Sequence, residues 1–213
     1  MNILIMGAPG TGKGTMSALI KEKYDLVHIS TGDMLRQAIK DQTEIGLKAQ
    51  EYINAGGLVP DEVIHGIILE RLGQDDIKKG FLFDGYPRTV NQAIDLDDIL
   101  KTLNMKIDYI INLDVDDEVI KERITGRRTC SKCKEIYHIK NMPPKVDGIC
   151  DKCGGELITR KDDTLEALTN RLDAYYSSTK PVMDYYKNSG LIHNIDGSRN
   201  AEIVFAEIEA ILG

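Results

Sequence analysis

The chain has 213 residues, of which 42% are hydrophobic, and its net charge is −7. No apolar run approaches the roughly 18 residues of a membrane span and no secretory signal is visible, so we expect a soluble, cytoplasmic protein with no membrane partner. The negative net charge disfavours a protein that binds nucleic acid mainly through phosphates, and no nucleic-acid partner is expected.

Short apolar runs predict the strands of a parallel sheet: 2–6, 26–29, 81–83, 109–113 and 191–195. Helix-like sequence separates each run from the next, and this alternation predicts an α/β fold with helices on both faces of the sheet. Each of the last four runs is followed by a polar residue: Ser30, Asp84, Asp114 and Asp196. Open parallel sheets bind ligands beyond the carboxyl ends of their strands, so we expect the chemistry at these positions.

Capping signals predict two of the helices. Asp116 or Asp117 can begin a helix that is expected to run to Gly126. Asp163, with Glu166 three residues later, forms a capping-box signature before another helix. Two stretches fit the alternation of strands and helices poorly and are candidate insertions: 30–59 and 126–163.

The loop after the first predicted strand reads GAPGTGKGT over residues 7–15. Gly7, Gly12 and Lys13 fit the P-loop spacing, in which backbone N–H groups and a helix N-terminus bind a phosphate. Lys13 then supplies a charge to the β- and γ-phosphates. Gly14 stands where Ser or Thr usually coordinates magnesium, and the hydroxyl comes one place later on Thr15, which puts direct metal ligation by the loop in doubt. A glycine-rich turn that binds nothing is the alternative.

All four cysteines fall in two pairs, Cys130 with Cys133 and Cys150 with Cys153, separated by 16 residues. This spacing predicts a tetrahedral four-thiolate zinc site, with one ion per chain. Four thiolates leave no open position for water or substrate, so the zinc is expected to be structural. Two disulfides are the competing interpretation, disfavoured in a reducing compartment, and a redox-active cysteine pair is a weaker one.

Six segments occur in order along the chain: GAPGTGKGT (7–15), STGDMLR (30–36), GGLVPDE (56–62), FDGYPRT (83–89), ITGRR (124–128) and TRKDD (159–163). Through them the chain resembles the adenylate kinases over essentially its whole length, and its cysteines resemble those of the metal-bearing subset common in Gram-positive bacteria. The resemblance implies a P-loop three-layer fold with a five-stranded parallel sheet and a monomeric protein. It also implies three domains: a core of 1–29, 60–125 and 164–213, an AMP-binding segment at 30–59, and a zinc-bearing lid at 126–163.

The activity that the resemblance implies is reversible phosphoryl transfer, in which MgATP and AMP give two ADP. An AMP phosphate is already ionised near neutral pH, so the chemistry needs positioning and cations rather than a histidine–carboxylate pair. The histidines are accordingly interpreted as structural or surface residues: His28, His65, His138 and His193.

The resemblance also implies a set of site residues, which fall into groups by expected role. Those expected to contact ATP are Gly10, Thr11, Gly12, Lys13, Gly14, Thr15, Arg123, Arg127, Ile136, Tyr137 and Arg199. Those expected to contact AMP are Thr31, Arg36, Gly57, Leu58, Val59, Gly85, Tyr86, Pro87, Arg88, Gln92, Arg160 and Arg171. The cations expected to act in catalysis are Lys13, Arg88, Arg123, Arg127, Arg160 and Arg171. Asp33 and Asp84 are expected to orient the water ligands of magnesium.

Three details follow from these assignments. Gln92 is expected to read the adenine edge of AMP, because a glutamine amide can pair with adenine through two hydrogen bonds. Arg123 and Arg127 are expected on one helix face, four residues apart. Hinges are expected at Gly56, Gly57 and Gly126.

Other interpretations stay open. Ile136 and Tyr137 could simply pack inside the lid, and Asp162 and Asp163 could be hinge or cap residues rather than partners of ATP-side groups. A different nucleoside monophosphate kinase would share the same core. A zinc ribbon that binds nucleic acid, with the P-loop as regulator, is the alternative from another functional class.

Overall fold

The computed structural model describes residues 1–55 and 57–213. Its strands are β1 (Asn2–Met6), β2 (Val27–Ser30), β3 (Phe81–Asp84), β4 (Tyr109–Asp114), β5 (Arg127–Cys130), β6 (Ile136–His138), β7 (Leu157–Ile158) and β8 (Ile192–Asp196). Its α-helices are α1 (Lys13–Tyr24), α2 (Thr31–Lys40), α3 (Glu44–Asn54), α4 (Asp61–Leu72), α5 (Val90–Thr102), α6 (Asp117–Thr125), α7 (Leu165–Ala174), α8 (Lys180–Tyr186) and α9 (Ala201–Leu212). A π-helical segment, Tyr175–Thr179, joins α7 to α8. Within the described ranges, no helix combines the length and the apolar composition that crossing a membrane requires.

The main sheet has five parallel strands, as the sequence predicts, and their order is β2-β3-β1-β4-β8. The chain passes from β1 to one side of the sheet through β2 and β3, and then to the other side through β4. The topological switch therefore lies beside β1, where open α/β sheets form their ligand crevice. The polar residues expected just after the strands are the last residues of those strands, and Ser30 lies in register with Asp84.

Side chains alternate between two cores because successive residues of a strand point to opposite faces. On β1, Leu4 and Met6 pack with residues of α4, α5 and α8, while Ile3 and Ile5 pack with residues of α1 and α9. Every residue of β1 is buried. Helices therefore cover β1 on both faces, and this packing holds the start of the loop between β1 and α1 in place.

The first insertion consists of the paired helices α2 and α3. The Ser30 hydroxyl accepts a hydrogen bond from the Asp33 backbone N–H and caps α2, and Thr43 caps α3 in the same way. A Cβ atom on Gly46 would lie 2.1 Å from the Ala38 carbonyl oxygen, so glycine is needed for the close approach of the two helices. The hinge expected at Gly56 lies outside the described residues.

The second insertion is a small antiparallel sheet in the order β6-β5-β7, which carries the cysteines. The helix before it, α6, begins after Asp116 and ends at Thr125 with Gly126 as its C-cap, which agrees with the predicted bounds. The expectation that Arg123 and Arg127 share a helix face is therefore wrong. Gly126 caps the helix and the chain turns into β5, which begins at Arg127.

The predicted capping box at Asp163 is also wrong. The N-cap of α7 is Thr164, whose hydroxyl accepts from the Ala167 backbone N–H at 3.1 Å. Asp163 lies one residue earlier and is buried, with its carboxylate bonded to Arg127. A buried carboxylate with an arginine partner gains more from that charged hydrogen bond than from a solvent-exposed cap.

Candidate active site

The loop between β1 and α1 has the geometry of an anion-binding turn. Gly10 and Gly12 have φ angles of 88° and 99°, in the left-handed region that favours glycine. Gly12 is the N-cap of α1 and supplies no side-chain cap. The free N–H groups of the first helical turn and the positive end of the helix dipole are thus directed toward a bound anion.

Lys13, the first residue of α1, is half-buried, and its side chain turns back over this loop. Its Nζ donates to the Gly7 carbonyl oxygen at 2.7 Å and to the Ala8 carbonyl oxygen at 2.8 Å. Burial lowers the pKa of Lys13 from 10.5 to about 8, an effect that the charge of Asp84 partly offsets. Lys13 is therefore still a cation at neutral pH.

Two carboxylates lie beside the P-loop cleft, Asp84 at the end of β3 and Asp33 in the first turn of α2, as the sequence predicts for each. Asp84 ends β3 in register with Ile5, and its Oδ2 is 3.7 Å from His28 Nε2. Burial alone would raise the pKa of Asp84, but the neighbouring His28 ring and the Lys13 ammonium outweigh it and hold the pKa below its ordinary value. Asp33 accepts a hydrogen bond from Arg36 Nη2 at 2.7 Å. Both carboxylates are therefore ionised at neutral pH.

Arginines surround the same space: Arg36, Arg88, Arg127, Arg160 and Arg171. Burial, together with the charge of neighbouring Arg127, lowers the pKa of Arg160 and of Arg171 to about 10. Burial also lowers the pKa of Arg88. Arg88, Arg160 and Arg171 remain charged at neutral pH, and so many half-buried arginines around one space indicate a site for a polyanion.

Two acidic residues link the lid to helix α7 within this cluster. Arg127 Nε, on β5, donates to Asp163 Oδ2 at 2.9 Å. Arg171 Nη1, on α7, donates to Asp162 Oδ2 at 3.2 Å and lies 3.8 Å from Asp163 Oδ1. Of the two roles left open for Asp162 and Asp163, these contacts favour the role of partners to the arginines.

Arg123 fastens the P-loop to the segment after β8. Its Nη1 donates to the Gly197 carbonyl oxygen at 2.8 Å and approaches the Thr11 carbonyl oxygen at 3.4 Å. Its Nη2 donates to the Ser198 carbonyl oxygen at 3.0 Å. Arg199 is the next residue along and bonds to Glu207 and to the Asp196 carbonyl oxygen.

The predicted site residues line two adjoining recesses. The larger cleft is lined by Gly10, Thr11, Gly12, Lys13, Gly14, Thr15, Asp33, Asp84, Pro87, Arg123, Arg127, Ile136, Tyr137, Arg160 and Arg199. The smaller pocket is lined by Thr31, Gly57, Leu58, Val59, Tyr86 and Gln92. Residues shared by both recesses include Arg36, Gly85, Arg88 and Arg171. Pro87 and Arg160, expected on the AMP side, thus line the larger cleft instead.

Two side chains beside the site received no functional role in the sequence analysis, which interprets His28 as a structural or surface residue. His28 lies on β2 next to Asp84, and Asp61 accepts a 2.6 Å hydrogen bond from Gln92 Nε2. The sequence does contain a clue to His28: it lies two residues before Ser30 at the end of a strand, and alternate residues of a strand point to the same face. The signal for Asp61 was its place inside the GGLVPDE segment.

The four cysteines come together in the lid as a candidate metal centre. Their Sγ atoms all lie within 4.8 Å of one another, with 3.4 Å between Cys130 and Cys153 and 3.5 Å between Cys133 and Cys150. A tetrahedron built on Zn–S bonds of roughly 2.3 Å has edges of about 3.8 Å. The thiols are not bonded to each other, and the donor set fits zinc.

The two lid residues expected to contact ATP both line the larger cleft, but the Tyr137 hydroxyl end points toward the cysteines. Tyr137 is buried, and its hydroxyl accepts from the Asp151 backbone N–H at 2.8 Å and lies 3.5 Å from Cys150 Sγ. Its O–H is thus free to donate to the sulfur. Ile136 faces the P-loop, because a Cβ atom on Gly14 would lie 3.2 Å from Ile136 Cδ1. Tyr137 therefore supports the cysteine centre while Ile136 covers the loop.

Comparisons with known proteins agree with this geometry. The family model described as "Adenylate kinase" matches residues 5–191. The chain is 50% identical to the adenylate kinase of Bacillus cytotoxicus over 213 residues, which cover 100% of this chain and 99% of that one. It is 51% identical to the adenylate kinases of Geobacillus sp. (strain WCH70) and of Archaeoglobus fulgidus, with 100% of this chain covered and 99% and 98% of theirs. The chain therefore belongs to the adenylate kinase family.

Proposed function

We propose that this protein transfers the terminal phosphoryl group of MgATP to AMP, reversibly, to give two ADP. One observation supports this most directly. Two recesses, one built on the P-loop and one built between α2 and α5, meet at the half-buried guanidinium groups of Arg88 and Arg171. Two nucleotides would therefore face each other with their phosphate ends in a shared cationic space.

On the ATP side, the P-loop amides and Lys13 would hold the β- and γ-phosphates. A phosphate oxygen would replace the Gly7 and Ala8 carbonyl oxygens as the partner of Lys13 Nζ. Arg123 and Arg127 reach the same cleft from either side. Ile136, Tyr137 and the backbone near Arg199 would border the base.

On the AMP side, Thr31, Arg36 and the backbone of residues 57–59 would hold the nucleotide, with Gln92 at the adenine. Gly85, Tyr86 and Pro87 form the turn that carries Arg88. Arg160 and Arg171 would move with the lid and α7 onto the phosphoryl group in transfer.

The proposed chemistry is direct and in line. An AMP phosphate oxygen attacks the γ-phosphorus of ATP while the bond to the bridging oxygen of ADP breaks, so no enzyme base is required. Lys13, Arg88, Arg123, Arg127, Arg160 and Arg171 would stabilise the charge spread over the transferring oxygens. Magnesium, when it enters with ATP, neutralises phosphate charge, and the ionised Asp84 and Asp33 fit the role of holding its waters.

We further propose that the chain divides into three domains at the boundaries expected from sequence: the core, the AMP-binding segment 30–59 and the lid 126–163. The contact of Ile136 with the P-loop and the ion pairs of Arg127 and Arg171 support a lid that closes over the phosphates. Closure would exclude water from the phosphoryl group. The four cysteines would hold one structural zinc ion, and the protein would act as a monomer.

The test is to mix the purified protein with MgATP and each nucleoside monophosphate and to measure diphosphate formation. We expect ADP from AMP, with much slower turnover of GMP, CMP and UMP. The alternative nucleoside monophosphate kinase predicts a different preferred acceptor. Absence of ADP formation with every acceptor would contradict the proposal.

A further inference from the structure

Gln92 sits at the wall of the smaller pocket with both ends of its amide engaged. Its Oε1 accepts from the Arg88 backbone N–H at 2.7 Å, and its Nε2 donates to Asp61 Oδ1 at 2.6 Å. The residue is only 4% exposed. What remains for a ligand is one Nε2 hydrogen and the second lone pair of Oε1.

These two partners fix which way the amide points. A flipped Gln92 would place its NH₂ group against the Arg88 N–H and its oxygen against the Asp61 carboxylate. Two donors would then face each other, and so would two acceptors, at a buried site where each unpaired polar group is costly. Arg88 contributes through its backbone, so Asp61 is the partner that a substitution can remove.

We infer that Asp61 sets the base selectivity of the acceptor site by holding the Gln92 amide in the orientation that suits adenine. The inference rests on the proposed function and extends it. Adenine offers an amino donor at C6 next to a ring-nitrogen acceptor, which matches the Oε1 and Nε2 groups as they are held. A 6-oxopurine places a carbonyl oxygen against Oε1, and the held amide cannot turn to meet it.

Asp61 is itself held in place from a second direction. It is the first residue of α4, and Thr89 Oγ1 donates to its Oδ2 at 2.9 Å. Thr89 is also the N-cap of α5 and accepts from the Gln92 backbone N–H at 3.1 Å. Hydrogen bonds thus join the starts of α4 and α5 around Gln92. Asp61 is a positioning residue rather than a catalytic one, because it acts through Gln92.

The first experiment compares AMP with IMP, its 6-oxo counterpart, as acceptor for Asp61→Ala. We expect KM for AMP to rise by about tenfold or more, while kcat and KM for ATP change little, because the loss concerns one buried polar contact. The ratio of kcat/KM for AMP to kcat/KM for IMP should fall by a similar factor. Asp61→Asn keeps an oxygen acceptor for Gln92 and should stay within about threefold of the parent.

The second experiment is a double-mutant cycle with Gln92→Ala. If Asp61 acts through Gln92, adding Asp61→Ala to Gln92→Ala should change KM for AMP by less than about twofold. Additive effects would show a merely structural role and would overturn the inference. An unchanged AMP preference in Asp61→Ala, or an Asp61→Asn variant as impaired as the alanine variant, would also overturn it.

Thermal melting shows whether Asp61→Ala folds. If it does not, Asp61→Ser replaces it in both experiments, because serine keeps a polar group at the start of α4 but is too short to reach Gln92. The parent protein is the control for the proposed function itself. A parent without AMP-dependent ADP formation refutes that function, whereas an active parent with an insensitive Asp61 site refutes this inference alone.

Discussion

At the scale of single residues, the account depends most on Lys13. Two carbonyl oxygens of the loop, those of Gly7 and Ala8, accept from its ammonium group, and burial lowers its pKa to about 8. A phosphate in the loop would supply a full negative charge in place of two dipoles. Lys13 is therefore poised to interact more strongly as charge develops on the transferring phosphates.

Replacing Lys13 with alanine should lower kcat several hundredfold, or about 3–4 kcal/mol in transition-state stabilisation, with little effect on folding. Steady-state kinetics and a thermal melt measure the two effects. Lys101→Ala, an exposed lysine on α5, is the matched control and should behave like the parent. A kcat for Lys13→Ala within about tenfold of the parent would contradict the assignment.

The lowered pKa of Lys13 also predicts a pH dependence of ATP binding. Below about pH 8 the free protein carries the proton on Lys13, and affinity should be insensitive to pH. Bound phosphate favours the charged lysine, so above about pH 8 binding must take up a proton and affinity should fall with rising pH. Calorimetry from about pH 7 to about 9.5 tests this. A flat profile, or an equal slope in Lys13→Met, would exclude Lys13 as the titrating group.

At the scale of elements, the strands of the main sheet could be predicted well from the sequence. The junction between α6 and β5, where the lid begins, is predicted less well. Apolar runs between helical segments specify strands because burial on both faces leaves little choice of residue type. The helix α6 has its C-cap at Gly126, where the sequence predicts its end, but the fold adds a tertiary reason for glycine there. A Cβ atom on Gly126 would lie 2.1 Å from His138 Nε2, twelve residues away in the lid sheet. No local pattern shows that contact. Arg127 lies beyond this glycine, on β5, so the prediction that places Arg127 on one helix face with Arg123 is wrong.

The same contact predicts how Gly126 can be tested. His138 Nε2 lies 3.2 Å from the Glu122 carbonyl oxygen, and an alanine methyl group at Gly126 would displace the ring. We expect Gly126→Ala to lower the free energy of unfolding by roughly 1–3 kcal/mol, measured by urea denaturation.

Gly66→Ala is the matched control, because it lies inside α4 with open space around its Cβ position. This change should be neutral or stabilising by about 0.5–1 kcal/mol. Combining Gly126→Ala with His138→Ala should cost less than the sum of the single changes. Full additivity would show that the glycine serves some purpose other than the close approach of His138.

At the scale of the whole molecule, the lid needs something besides an apolar core. Its buried cluster consists of Cys130, Tyr137 and Cys150, with Leu157 packed against it. A segment of this size buries too little surface to hold its shape unaided, and a metal crosslink is the usual substitute. The cysteine spacing made the metal centre predictable, whereas the Tyr137 hydroxyl beside Cys150 became evident only from the fold.

Replacing Cys153 with serine should therefore release the metal and lower the melting temperature of the protein. Elemental analysis of the parent should give close to one zinc per chain, and Ser131→Ala in the same turn should keep it. Turnover well below the melting temperature should largely survive in Cys153→Ser, because Lys13 and the arginines are unchanged. Loss of all activity in a variant that is still folded would contradict a purely structural metal.

The central claim is that two nucleotide sites meet in one cationic space around Arg88 and Arg171. The most direct measurement is the calorimetric affinity of a bisubstrate mimic, two adenosines joined through a phosphate chain, compared with the affinities of ATP and AMP alone. Because one molecule would fill both recesses and lose its freedom of motion only once, we predict an affinity at least about a hundredfold tighter than that of ATP. An affinity no better than that of ATP would contradict the two-site arrangement.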